Sequence, residues 1–322
     1  MSKAIRITET GGPEVLKLVD VEVGAPGPGE VQVRHAAIGL NFIDVYFRTG
    51  LYPVPLPAGV GLEGAGVITA VGDGVTGFAV GDRVAYCDRP PGSYCELRNM
   101  AVGPLVRLPE AVAFDTAAAM MLKGLTVEYL FHRTFKLQPG QTILFHAAAG
   151  GVGLIAMQWA KALGVTVIGT AGSPEKAALA KQHGADHVIL YREENVVERV
   201  RELTDGAMVP VVYDSVGKDT FQMSIDSLQP FGTMVSFGNA SGPVPPMPLT
   251  ALKGSLYITR PGLMAHTGNR ATLAEMAARL FEVVGSGKVK IDIEQRYALA
   301  DAAQAHRDLE GRRTRGSSIL LP

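Results

Sequence analysis

The rhythm of apolar and polar positions changes along this chain. Over about the first hundred residues the apolar positions fall in short β-type runs: Ala4–Ile7, Val31–Ala37, Ala65–Val71, Asp82–Tyr86 and Ser93–Leu97. Turn formers separate them, notably Gly24-Ala25-Pro26-Gly27-Pro28-Gly29 and Gly72-Asp73-Gly74. Strands this short and this closely spaced predict an antiparallel, barrel-like unit. Two stretches, Gly39–Tyr46 and Tyr52-Pro53-Val54-Pro55-Leu56-Pro57, fit no period and read as long loops, a common place for function in a compact domain.

From Asp115 the pattern turns helical. Asp115 is placed to cap a helix reaching Leu122, and Thr126–Phe131 reads as a second helical piece. After Pro139-Gly140, strands and helices of about ten residues alternate. Strands are predicted at 142–146, Val165–Thr170, His187–Leu190, Val209–Tyr213 and Thr233–Phe237. The helices between them are predicted near 152–163, from Pro174 to His183, at Glu193–Leu203 and at Thr220–Leu228. Such alternation predicts right-handed βαβ units, hence a doubly wound parallel sheet with helices on both faces. A further strand, Ser255–Thr259, fills a sixth position. Beyond it come a long helix (Arg270–Val284), a strand near Ile293, a short helix (Asp301–Leu309) and a last strand (Ser318–Leu321). These have no place in a sheet already complete and are expected to fold back onto the N-terminal unit.

The first strand of the alternating region runs into Ala147-Ala148-Ala149-Gly150-Gly151-Val152-Gly153. Ala148, Gly150 and Gly153 occupy the spacing of the dinucleotide fingerprint G-x-G-x-x-G, with alanine in first place. The first small residue permits the tight turn, the second lets backbone approach a pyrophosphate, and the third lets helix pack closely on strand. Gly151 and Val152 open the helix, whose free N–H groups and positive end face the phosphates. A carboxylate at the end of the second strand selects NAD by binding the ribose 2′-hydroxyl. Here that strand ends in Ala171-Gly172-Ser173, without an acid. Ser173 and Lys176 can donate to a 2′-phosphate, and Tyr191-Arg192 after the third strand adds a hydroxyl and a cation. The cofactor predicted is NADPH, with Lys176 as chief discriminator.

Composition narrows the field further. The length suits about two domains, and an apolar fraction of 47% with 19% charged residues suits a packed α/β protein. No apolar run is long enough to span a bilayer, and Met1-Ser2-Lys3-Ala4-Ile5-Arg6 carries no signal-peptide core, so a cytoplasmic, membrane-free protein is expected. A net charge of −1 provides no basic field for nucleic acid. Two cysteines, Cys87 and Cys95, are too few for a disulfide scaffold or a four-thiolate zinc site.

These features, taken with ordered motifs spread from end to end, identify a resemblance. The motifs include Gly39-Leu40-Asn41-Phe42-Ile43-Asp44, Gly50-Leu51-Tyr52-Pro53, Gly61-Leu62-Glu63-Gly64-Ala65-Gly66-Val67, Val80-Gly81-Asp82-Arg83-Val84 and Lys123-Gly124-Leu125-Thr126. Further on are Phe237-Gly238-Asn239, Gly254-Ser255-Leu256, Thr259-Arg260-Pro261 and Leu309-Glu310-Gly311-Arg312. The chain resembles the medium-chain dehydrogenases/reductases, and within them the zeta-crystallin-like NADPH:quinone oxidoreductases. The resemblance implies a GroES-like β-barrel catalytic domain from residues 1–124 and 265–322, a Rossmann NADPH-binding domain from 125–264, and an active site in the cleft. It also implies a homodimer, usually made by joined sheet edges, which the apolar Leu256-Tyr257-Ile258 would suit.

Zinc-dependent members read Gly-His-Glu where this chain has Gly61-Leu62-Glu63, and carry a cysteine near Leu40. Leucine cannot ligate zinc, so no metal is expected. Hydride transfer to a quinone, or to an alkene conjugated with a carbonyl, still needs donors for the developing oxygen charge. Asn41, Tyr46 and Tyr52, in the loops at 39–57, are the candidates: Asn41 for cofactor or substrate, the tyrosine hydroxyls for substrate binding or proton relay. Asp44 is expected to shape the loop. By the resemblance, Thr126 contacts the nicotinamide, Phe237, Gly238, Asn239 and Leu263 line the cofactor cleft, and Arg312 reaches the cofactor from the C-terminal segment. Two other readings share these features: an NADPH-dependent reductase of alkenals, enones or enoyl thioesters, and a dinucleotide-binding structural or RNA-binding protein.

Overall fold

A computed structural model describes residues 1–250 and 252–322. It divides into two compact units, one of Met1–Leu125, His266–Gly285 and Ile291–Pro322, the other of Thr126–Ala265 and Ser286–Lys290.

The first unit begins with β1 (Ser2–Ile7), β2 (Lys17–Val21), β3 (Glu30–Leu40), helix α1 (Phe42–Thr49), β4 (Ala58–Gly59) and β5 (Glu63–Val71). It continues through β6 (Arg83–Cys87), β7 (Leu97–Ala101), β8 (Val106–Arg107) and α2 (Phe114–Tyr129). Strand β1 pairs antiparallel with β2 and with β4, while β3 is the long central strand of a seven-stranded sheet, flanked by β5 and β7. This is the antiparallel unit the strand spacing predicts, with three differences. The supposed loop at 39–46 is the end of β3 followed by α1. Its start is set by Asp44, whose Oδ2 accepts from Asn41 N at 2.9 Å, and its end by Gly50 at φ 81°. The run Ser93–Leu97 is not a strand of its own; pairing with β3 begins at Leu97 and continues to Ala101. Finally, α2 is one continuous helix where two pieces were expected. Gly124 does not interrupt it; a Cβ there would stand 2.4 Å from a Leu280 methyl, so the glycine admits a neighbouring side chain.

The second unit contains β9 (Thr142–Phe145), α3 (Gly151–Ala162), β10 (Thr166–Ala171), α4 (Pro174–Gln182), β11 (His187–Leu190) and α5 (Val196–Leu203). Then follow β12 (Val209–Asp214), α6 (Phe221–Asp226), β13 (Leu228–Ser236), β14 (Tyr257–Thr259) and α7 (Leu263–Thr267). Its six strands lie in the order β11-β10-β9-β12-β13-β14, every neighbouring pair parallel. The order reverses between β9 and β12, which makes the carboxyl ends of those strands the switch point where such sheets bind ligands. Leu144, Ile168, Val212 and Met234 from four adjacent strands pack with Val196, Val200 and Ile225 from the helices to form its core.

The chain closes with α8 (Arg270–Gly285), β15 (Ile293–Ala298), α9 (Ala302–Glu310) and β16 (Ser317–Leu321). Strand β16 pairs antiparallel with β3, and Leu299, Ala302, Ala305 and Leu320 share one core with Ile5, Ile7, Ile38 and Leu40. The C-terminal segment folds back onto the first unit, as expected of apolar residues left over from a completed sheet.

Candidate functional site

In the second unit the turn after β9 has the geometry its small residues call for. Ala147 stands at φ 55°, and its carbonyl accepts from Gly150 N at 2.9 Å, closing the turn. A Cβ on Gly153 would lie 2.5 Å from the carbonyl oxygens of both Ala147 and Ala148, so only glycine lets α3 start this close to the strand. A Cβ on Gly150 would meet just Ala147 O, at 3.2 Å. Ala148 is buried beside Gly169, whose own missing Cβ leaves room for the alanine methyl. Gly151 and Val152 form the first turn of α3, whose N–H groups have no earlier helical carbonyl to bond. A bare, donor-rich helix start beside a glycine cradle fits a pyrophosphate.

At the end of β10, Gly172 lies against Tyr191; a Cβ there would stand 2.7 Å from the tyrosine Oη. Ser173 caps α4, its Oγ accepting from Lys176 N at 3.4 Å, which leaves the hydroxyl hydrogen available to a ligand. Arg192 sits 6.0 Å from the Tyr191 ring centroid. Gly172, Ser173, Lys176 and Tyr191 are thus brought to one end of one pair of strands.

Phe237, Gly238 and Asn239 follow β13. Phe237 N donates to Asp214 O at 2.8 Å, and its ring lies 5.9 Å from that of Phe145. Gly238 is required because a Cβ would stand 2.3 Å from Ser215 O. Arg260, just beyond β14, donates to Ser236 Oγ at 3.2 Å and to Gly238 O at 3.0 Å, and with the Asn239 amide turned to suit its neighbours the arginine also reaches Asn239 Oδ1. Sequence reading quoted Arg260 as part of a motif and missed this role; a lone arginine beside a proline gives no sign of where its guanidinium will go. Thr126 and Leu263 also belong to this unit, Thr126 buried in α2 and Leu263 at the start of α7.

In the first unit Asn41, Tyr46 and Tyr52 gather around α1. Tyr46 and Tyr52 meet edge to face with ring centroids 5.1 Å apart, and Tyr52 N donates to Tyr46 O at 3.0 Å. Asn41 is buried, donates through Nδ2 to Glu63 Oε2 at 2.7 Å, and leaves Oδ1 buried with no hydrogen-bond partner among the described residues. Buried acceptors without a full hydrogen bond are rare in folded proteins; this one faces the start of α1, where Asn41 and Asp44 form a capping box. Glu63 also accepts from Leu122 N at 2.8 Å, and burial raises its pKa against the opposing pull of the Lys123 ammonium. Lys123, itself buried, donates to Leu40 O at 3.3 Å, and burial lowers its pKa. Neither Glu63 nor Lys123 stood out as chemistry in the sequence; the signal was there in a glutamate retained beside Leu62.

Asp44 shapes the loop as expected: besides Asn41 N it accepts from Tyr94 Oη at 3.0 Å, and burial pushes its pKa up to about 7. Leu62, where the zinc enzymes carry a histidine, is a core residue at 0% exposure, and Leu40, near the position of their cysteine, is buried at 2%. Among the described residues no three His, Cys, Asp or Glu side chains gather as a metal site. Arg312 follows α9 at φ 57°; in the same basic run, Arg313 pairs with Asp308 at 2.7 Å.

Comparison with known proteins agrees with this layout. Residues 27–134 match the alcohol dehydrogenase GroES-like domain family and residues 151–282 the zinc-binding dehydrogenase family. The chain is 58% identical to a quinone oxidoreductase of Pseudomonas aeruginosa, with the whole of both chains covered. It is 44% identical to a 2-haloacrylate reductase of a Burkholderia species, covering 100% of this chain and 99% of that one. The crystal structure of Escherichia coli quinone oxidoreductase complexed with NADPH superposes with a TM-score of 0.98 at 50% identity, covering 99% of this chain and 100% of that one. Full-length similarity at this level, on a fold with both expected domains, shows that the chain belongs to the quinone oxidoreductase family of the medium-chain dehydrogenases/reductases.

Proposed function

We propose that this protein is an NADPH:quinone oxidoreductase that works without zinc. The observation that carries the reading is the second strand of the dinucleotide fold: it ends at Ala171-Gly172-Ser173 with no acid, and Ser173, Lys176 and Tyr191 stand where a 2′-phosphate needs donors. NADPH, when bound, supplies a hydride that a quinone accepts without metal assistance because the charge spreads onto its oxygens. The chain's part is to bind, orient and complete the proton balance. The turn Ala147–Gly153 presents backbone donors to the pyrophosphate. Thr126, Phe237, Gly238, Asn239, Leu263 and Arg312 contribute the remaining cofactor contacts. Asn41 uses its Oδ1 toward the cofactor or substrate, held by the bond to Glu63. Tyr46 and Tyr52 serve the acceptor's oxygens through their hydroxyls.

Zinc independence is supported by Leu62, whose apolar side chain offers no ligand atom where the zinc enzymes carry histidine, and by the lack of a cysteine near Leu40. Dialysis against a chelator should leave turnover unchanged; loss restored by zinc would sink that part. A second reading, reduction of a carbon–carbon double bond conjugated to a carbonyl, is favoured by the similarity to a 2-haloacrylate reductase. One preparation assayed with NADPH and either a naphthoquinone or a 2-alkenal separates the two: turnover of the alkenal alone overturns the quinone assignment.

The protein is proposed to act as a homodimer in the cytoplasm. Strand β14 ends the parallel sheet with one neighbour, and Tyr257 and Ile258 on it are exposed, at 61% and 38%. An uncovered apolar edge invites pairing with a second copy. Sedimentation of the parent and of Tyr257→Lys tests it: a monomer in both cases ends the dimer proposal. Among the described residues no helix is long and apolar enough to cross a membrane.

A further inference from the structure

We propose that Asp214, Ser224, His146 and Thr170 form a one-directional chain of hydrogen bonds that positions the turn Ala147–Gly153 to receive the NADPH pyrophosphate. It rests on the reading that this turn is the pyrophosphate site, and it concerns four side chains that touch neither cofactor nor substrate.

All four are withdrawn from water, at 0% exposure for Asp214, Ser224 and His146 and 1% for Thr170. The direction of every bond follows from proton counting. Asp214, at the end of β12, accepts through Oδ1 from Val216 N at 2.7 Å and Gly217 N at 3.0 Å, and through Oδ2 from Ser224 Oγ at 2.8 Å. Thr220 Oγ1 donates to the same carboxylate, at 2.7 Å from Oδ2. Thr220 O, at 2.9 Å, and His146 Nε2 are also within reach of the Ser224 hydroxyl, but a serine oxygen 2.8 Å from carboxylate Oδ2 needs a proton between them, and only Ser224 can supply it. His146 Nε2, 3.0 Å from Ser224 Oγ, must therefore carry the hydrogen and donate. That leaves Nδ1 as an acceptor, and Thr170 Oγ1, 3.1 Å away, donates to it. Thr170 Oγ1 then turns a lone pair to Ala147 N, 3.3 Å away. Burial lowers the His146 pKa, in keeping with a neutral ring.

The far end of this chain is the residue that needs support. Ala147 holds φ 55°, which a side chain bearing a Cβ adopts at a cost and keeps only when its surroundings determine it. Thr170 grips it twice over, taking Ala147 N on its hydroxyl and Ala148 N on its carbonyl at 3.0 Å. The Ala147 carbonyl in turn closes the turn on Gly150. At the near end, the segment Ser215–Val216 that Asp214 organises receives Ala240 N on Ser215 O at 3.2 Å and Ser241 N on Val216 O at 2.8 Å. One buried carboxylate thereby shapes both the pyrophosphate turn and the loop after β13. The sequence separations, 24 residues from His146 to Thr170 and 78 from His146 to Ser224, hide the chain from motif reading.

The test combines affinity, turnover and spectroscopy. Thr170→Val keeps the shape and removes the hydroxyl, leaving His146 Nδ1 and Ala147 N unpaired. It should weaken NADPH binding by about tenfold in a fluorescence titration, with kcat at saturating NADPH little changed. Thr170→Ser, which restores the hydroxyl, should bind NADPH within about twofold of the parent. Nitrogen-15 NMR of the unmodified protein should find His146 neutral and protonated on Nε2. A folded Thr170→Val variant with parental affinity overturns the proposal, as does a proton on Nδ1. Should Thr170→Val not fold, Ser224→Ala is read by the same criteria. A parent protein that binds no NADPH refutes the site reading itself, and this inference with it, whereas parental binding without the Thr170 effect refutes this inference alone.

Discussion

The side-chain amide of Asn41 is fastened to the buried carboxylate of Glu63 at 2.7 Å, while its oxygen makes no full hydrogen bond among the described residues. The bond commits the amide nitrogen to the fold and fixes the orientation of the whole side chain at the start of α1. Glu63 in turn accepts from Leu122 N and feels the charge of the Lys123 ammonium, and Gly39 has no Cβ because one would stand 2.2 Å from Glu63 Oε2.

Removing the carboxylate should therefore harm stability and turnover together. Glu63→Ala takes from the buried Lys123 the larger of its favourable charges and strips Asn41 Nδ2 and Leu122 N of their acceptor, and a loss of about 3–5 kcal/mol is expected in urea unfolding. Glu63→Gln can still accept from Asn41 but turns an N–H toward Leu122 N. A smaller loss of about 1–3 kcal/mol should result, with reduced kcat in the folded fraction. Equal, negligible effects for both would show that the cluster is immaterial to the site.

Cofactor choice should depend on Lys176. Lys176→Ala is expected to weaken NADPH binding about tenfold, the worth of one charge-assisted bond to phosphate, and to leave NADH binding nearly untouched. The ratio of the two dissociation constants is the quantity to measure, and a ratio equal to the parent's would reassign the phosphate contact.

The turn itself should tolerate nothing larger than glycine at its third small position. A methyl at Gly153 would press on two carbonyl oxygens at 2.5 Å, both on the backbone and unable to swing aside. Gly153→Ala should cost about 1–3 kcal/mol in unfolding and abolish saturable NADPH binding in the accessible concentration range. Retained affinity would mean that the turn is not where the cofactor sits.

Acid should destabilise the first unit through its buried histidines. Burial lowers His35 to about 4 and His306 to about 3, the latter helped by the Arg48 charge. Unfolded, both regain the ordinary imidazole value of 6.5, so between the folded and unfolded values the unfolded chain binds more protons and stability falls as the pH drops. Asp44 acts in the opposite sense. Burial raises it to about 7, so its contribution is complete below 3.8 and is lost as the pH rises through the folded value. His146, lowered by burial, adds to these histidines, and Glu63 and Asp88, raised by burial, add to Asp44. One imidazole contributes about 1.4 kcal/mol per pH unit between roughly pH 4.5 and 6, so the stability of His35→Gln should fall with acid less steeply than the parent's by about that slope, and equal slopes in urea unfolding would refute the assignment.

What the sequence determined by itself is local. The alternation of strand and helix from 142 onward, the turn Ala147–Gly153 and the missing acid after β10 all lie within short windows, where period, small residues and capping chemistry act between neighbours. The surplus apolar segment at the C-terminus could also be read as seeking a second core, because no vacant strand position remained for it. Where local reading failed, it failed on competition. Residues 39–46 fit no period and read as a loop, although Asp44 and Gly50 bracket a helix that starts within them, and the two helical pieces to Leu122 and from Thr126 are one helix in which Gly124 makes room for Leu280. Only the tertiary structure decided the pairings that turn side chains into a site. Asn41 meets Glu63 because β3 and β5 run side by side, and Asp214 reaches His146 through Ser224 because β12 lies next to β9. Those bonds join residues tens of positions apart, their value depends on burial that excludes water, and neither register nor burial is a property of any short stretch of chain.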